Sequence, residues 1–141
     1  MKRKIPYVHW IQGLPDKDFL NKISNAIIVI DDLMDASVNG QNVMSIFTKW
    51  SHHQNLSVIL TMQNLFHQGA KARSIQLNAQ YMVLYKNPRD RQQIKTLATQ
   101  MYPQKWRPFL EQFEYETSKP YGKINIDLRP NTREEDRIVK D

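Results

Sequence analysis

"AIIVIDDLMD", residues 26–35, is the stretch on which the fold turns. Ala26, Ile27, Ile28, Val29 and Ile30 run unbroken into two adjacent carboxylates, Asp31 and Asp32. An apolar run that does not alternate predicts a strand covered on both faces, as in a parallel sheet. "LSVILTMQ" (56–63) predicts a second such strand and "QYMVLYKN" (80–87) a third. Helical patterns lie between and around them. "DKDFLNKIS" (16–24) starts on Asp16, a good cap, and carries Phe19, Leu20 and Ile23 on one face. "QNVMSIFTKWSHH" (41–53) places Val43, Ile46, Phe47 and Trp50 at helical spacing. Residues 71–79 read as a short helix or an ordered loop.

Further along, "PRDRQQIKTLATQMY" (88–102) has Pro88 at or near its first turn and a stripe of Ile94, Leu97, Ala98 and Met101. "KWRPFLEQFEYET" (105–117) is a further helix in which Pro108 falls early enough to be tolerated. "GKINIDL" (122–128) alternates and predicts a half-exposed strand, and "IPYVHWIQ" (5–12) an edge strand. Residues 35–39 read as a polar loop. Residues 129–141 form a charged tail expected to fray. The reading is therefore one α/β domain over residues 1–128, with a mostly parallel sheet flanked by helices.

Composition narrows the classes. The chain has 141 residues, 40% of them hydrophobic, so a globular fold is expected rather than disorder. It contains no cysteine, which removes disulfides and thiolate metal sites. Its apolar runs fall short of the roughly 20 residues that span a bilayer, and no apolar segment follows the basic start, so a soluble intracellular protein is expected. The net charge of +6 favours phosphate-rich partners without specifying one.

In parallel sheets functional groups gather at the carboxyl ends of the strands. Asp31–Asp32, Gln63–Asn64 and Lys86–Asn87 all sit at such ends. Two carboxylates there can hold Mg²⁺ through its water shell, and the second can polarise an attacking water, which is the logic of a Walker B motif. The competing reading makes Asp31 or Asp32 a helix cap or an Asx-turn. Gln63 can bond both a water and a phosphate oxygen, or it can simply satisfy loop backbone. Arg73 could stabilise phosphoryl-transfer charge across a subunit boundary, with Lys71, Arg89 and Arg91 as competitors. His52 and His53 point in different directions on a helix and suit its C-terminal dipole better than a chelate. Trp10, Trp50 and Trp106 read as core or interface.

A phosphate loop of the form G-x-x-x-x-G-K-[ST] is not in the chain. The four glycines are Gly13, Gly40, Gly69 and Gly122, and none begins that pattern. The Gly-Lys pair in "YGKIN" (121–125) has no glycine five positions earlier and no Ser or Thr after it.

"NAIIVIDDLMDAS", the stretch from "FTKWSHHQNLSVILTMQNL" through "AQYMVLYKNPRDRQQIKTLATQMYP", and "TSKPYGKINIDLRPNTREEDRI" together resemble the viral genome-packaging ATPases of the HerA–FtsK superfamily. The resemblance is to the branch carried by Maverick/Polinton-type elements and poxvirus-type viruses, and it covers about Gly13 to Arg137. It implies a P-loop NTPase fold of the ASCE type, with Asp31 and Asp32 as Walker B, Gln63 as the strand-end sensor and Arg73 as the residue acting across a ring. It further implies ATP and Mg²⁺ as cofactors, and a homo-oligomeric ring that moves double-stranded DNA into a capsid, at a portal vertex, in an infected or element-bearing cell. No membrane is implied.

The family carries its phosphate loop upstream of the segment matched here. The chain is thus expected to be the C-terminal portion of such an ATPase, without the strand that leads into the loop, and inactive in hydrolysis by itself. That strand normally lies between "SVILTM" and "YMVLY". Its absence leaves three outcomes: direct pairing of those two strands, a strand from another chain, or poor folding. Two other readings compete. One is a non-catalytic DNA-binding or ring-assembly module. The other is a phosphoacceptor receiver domain, with Lys86 as its strand-end lysine.

Overall fold

The computed structural model describes residues 7–31, 43, 45–51, 54–65 and 76–139. It is mixed α/β and divides into two compact units. The first unit takes Met1–Gln63 and His67–Asn78, the second Asn64–Phe66 and Ala79–Asp141.

The first unit opens with residues 7–16 in no strand, so the expected edge strand does not form in its described part. Tyr7 is at φ 71°, outside extended geometry. Trp10 stands 73% exposed, so it is not a core residue. Helix α1, Lys17–Lys22, follows as expected: the Asp16 carboxylate accepts the Phe19 amide at 2.7 Å, and Asp18 and Lys22 complement the helix dipole at its two ends.

Strands β1, Ile27–Asp31, and β2, Ser57–Thr61, pair parallel, with Ile27 opposite Ser57 and Asp31 opposite Thr61. Two asparagines set that register. Asn25 and Asn55 precede the strands at φ 51° and 52°, a left-handed conformation that asparagine tolerates. Asn55 Nδ2 donates to Asn25 Oδ1 at 2.6 Å, so the two strand starts are tied side by side.

On one face of this pair Ile28, Ile30, Val58, Leu60 and Met62 pack with Leu20, Val43 and Ile46. The other face is open. Ile27 is 67% exposed, Val29 63% and Ile59 51%, which corrects the expectation of cover on both sides. Residues 45–51 are helical as expected, with a π-helical segment over Ile46–Trp50. The side chains of Phe47 and Trp50, together with His52 and His53, lie outside the described residues.

The second unit holds β3, Tyr81–Tyr85, β4, Lys123–Asp127, and β5, Ile138–Val139, in the order β3-β4-β5. Both pairings are antiparallel, where a parallel β3 was expected. The reason lies between the strands. A single crossover helix returns the chain to run parallel, but here two helices, α2 (Gln92–Met101) and α3 (Trp106–Glu116), run out and back, so β4 enters from the opposite end. Among the described residues β2 and β3 lie in separate sheets, so "SVILTM" does not pair directly with "YMVLY".

Pro88 lies in a turn ahead of α2 rather than in its first turn, and Asp90 accepts the Gln93 amide at 3.3 Å. The stripe of α2 (Ile94, Leu97, Ala98) meets Phe109 and Phe113 of α3 and Leu84, Ile124 and Ile126 of the sheet, forming the core of this unit. Gly122 makes the turn into β4. A Cβ at that position would lie 2.1 Å from the Glu116 carbonyl oxygen, so no larger residue fits.

The tail is not frayed over its described part. Glu134–Asp136 forms one 3-10 turn, and Ile138 then pairs with Ile126. Arg137 Nη1 donates to the carbonyls of Asp127 and Arg129, both at 3.2 Å. Asp127, buried, is held by Arg129 through Nε at 3.0 Å and Nη2 at 2.6 Å. Those bonds keep its carboxyl well below the ordinary carboxylate range. The Tyr102 phenol is pushed up by burial and then by the charge of Glu134, with Arg137 opposing.

Candidate functional site

The parallel pair delivers two of the expected residues to one edge. Asp31 is the last residue of β1 and is exposed; Gln63, also exposed, follows β2 by two residues. In a parallel pair both strands end on the same side, so Asp31 and Gln63 share the carboxyl edge. The nearest described partner of Asp31 is one the sequence did not single out: Thr61 Oγ1 donates a short hydrogen bond to Asp31 Oδ1. Thr61 escaped notice because a threonine closing an apolar strand reads as an ordinary strand former. Only the register across a separation of 30 residues brings it opposite the acid.

Asp31 is therefore a strand-end carboxylate bonded to a neighbouring strand's hydroxyl. Asp32, the second acid, lies outside the described residues, as do Arg73 and its competitor Lys71. Of the other competitors, Arg89 and Arg91 belong to the second unit, as do the strand-end residues Lys86 and Asn87. Lys86 follows an antiparallel strand, so the argument from three parallel strand ends keeps two of them. The receiver reading thereby loses its lysine from the parallel sheet.

The donor chemistry at the Asp31 edge fits a hard cation. A carboxylate offers about four lone-pair sites, of which Thr61 uses one, and the threonine oxygen is itself a neutral ligand of the type Mg²⁺ accepts. Among the described residues no three His, Cys, Asp or Glu side chains cluster as a metal cage. A magnesium ion here would keep most of its water. Among the described residues no helix is long and apolar enough to cross a membrane.

No family model matches the chain, and no curated protein or solved structure matches it either.

Proposed function

We propose that Asp31, Thr61 and Gln63 form the acid-and-sensor edge of an ATP-driven DNA translocase of the HerA–FtsK packaging type. The observation that carries the reading is the Thr61–Asp31 hydrogen bond across a parallel pair whose two strands end on an acid and, two residues on, an amide. In this reading Asp31 and Asp32 orient the water shell of Mg²⁺, which supplies charge neutralisation for a triphosphate. Thr61 holds one oxygen of the Asp31 carboxylate and leaves the other for that water shell. Gln63 lies where a carboxamide could bond a water or a terminal phosphate oxygen. Arg73 is the residue proposed to act on a neighbouring subunit of a ring, and double-stranded DNA is the polymer moved.

The 141 residues contain no phosphate loop, so the purified chain is expected to show no ATP turnover with Mg²⁺ and duplex DNA. Turnover that Asp32→Asn abolishes would refute that expectation. The edge itself is tested by titrating Mg²⁺ into labelled protein. Amide shifts should appear at Asp31, Thr61 and Gln63 and vanish in Asp31→Asn. An edge that does not respond to millimolar Mg²⁺ removes the reading.

The missing loop pattern and the net charge of +6 favour a second reading, a DNA-binding or ring-assembly module without turnover. Duplex affinity that falls steeply with salt, by a slope of about −0.9 per phosphate contacted, would support it. Absent or salt-independent binding would count against it.

A further inference from the structure

The second unit contains an open cavity of about 340 Å³, at the small end of the ligand-pocket range. It lies where the end of β3 meets the start of α2 and the far half of α3. Its floor is apolar, from Ile94, Leu110 and Phe113; its rim carries three cations, Lys86, Arg91 and Lys95. Glu114 is the one acid lining it. The neighbouring Asp90, whose Oδ2 accepts from Gln93 Nε2 at 2.7 Å, does not line it. Lys95 also sits 5.5 Å from the centre of the Trp106 ring, whereas Lys86 and Arg91 have no acidic partner among the described residues. Two exposed cations over an apolar floor are an unbalanced arrangement. The charges favour an anion, and the floor favours a flat apolar group beside it.

From this geometry we propose that the cavity binds a nucleotide, its base over Ile94, Leu110 and Phe113 and its phosphates against Lys86 and Arg91. An arginine can grip phosphate oxygens in pairs, and a lysine adds a mobile point charge. The start of α2 beside Arg91 adds the positive end of a helix dipole. The site uses neither Asp31 nor a divalent cation, and it does not rest on the ATPase reading.

The test is calorimetric titration of the 141-residue chain in EDTA with ADP, adenosine and inorganic phosphate. ADP should bind more tightly than either fragment. Lys86→Ala with Arg91→Ala should weaken ADP at least about tenfold, the loss expected from removing charge-assisted bonds. Asp16→Asn, at the exposed cap of α1 in the first unit, should leave ADP affinity unchanged. Binding that survives the double substitution overturns the site, as does the absence of ADP binding at millimolar concentration. Should the double variant lose its circular dichroism, Lys86→Gln alone, an exposed change at the strand end, gives the same reading. Failure of the Asp31 edge would show only in the Mg²⁺ experiment, so the two outcomes separate.

Discussion

In the second unit β4 has a partner on each side, whereas in the first β1 and β2 have only each other among the described residues. Both units bury one sheet face under helices and leave the other open, but the open faces differ. Along β3 the open face presents Tyr81, Val83 and Tyr85, whose phenol ends are at ease in water, with Arg129 5.1 Å from the centre of the Tyr81 ring. Along β1 and β2 it presents Ile27, Val29 and Ile59, which have no polar end. The apolar runs of β1 and β3 alike receive cover on one side, with the same alternation of burial along each. What differs is the chemistry of the exposed positions, mostly tyrosine along β3 and wholly aliphatic along β1 and β2.

Core truncation in the second unit should have the largest effect. Phe113 touches both helix α2 and the sheet, so Phe113→Ala is expected to cost about 3–5 kcal/mol in denaturant unfolding. A loss near 1 kcal/mol would mean that the unit's core is looser than drawn.

The sharpest test of the contrast compares neighbours on β1. Ile30, 2% exposed, should cost about 2–5 kcal/mol on change to Ala, while Val29→Thr on the open face should stay within about 0.5 kcal/mol. Equal costs would show that the Val29 face is covered in solution.

The carboxylate of Asp127 gives a pH-dependent version. Its folded pKa is depressed, so the stability it adds is present at neutral pH and is lost as pH falls below the ordinary carboxylate value of about 4. Thermal melts of the wild type should therefore weaken through that window, and melts of Asp127→Asn should lack that component. An unchanged acid profile in the variant would show that Asp127 does not carry this stability.

A smaller effect than core truncation belongs to the cap of α1. Asp16→Ala should cost about 0.5–2 kcal/mol, and Asp16→Asn much less, because an amide oxygen can still accept the Phe19 amide.

Sequence patterns were most legible where a single local rule governed. Asp16 capped α1 as read, the Ile94–Leu97–Ala98 stripe faced the core, and Pro108 fell within the first turn of α3. They failed where the answer depended on a distant partner. The segment from Ile5 to Gln12 is rich in strand formers, yet its described part pairs with no strand. The charged tail looked frayed because its order comes from Arg137 and Arg129 acting on β4, not from any hydrophobic period of its own. Within the candidate site the acid and the amide were visible as strand ends, but Thr61 was not.

By itself the sequence determined the cap of α1, which helix faces are apolar, that an acid ends β1, and that no phosphate loop of the usual pattern is encoded. Those properties depend on neighbours a few positions apart. Tertiary structure alone decided strand direction, sheet membership and the partner of Asp31. Each of these depends on how the chain returns over tens of residues: two helices rather than one between β3 and β4, and a register fixed by a pair of asparagines. Period and propensity carry no record of that return path.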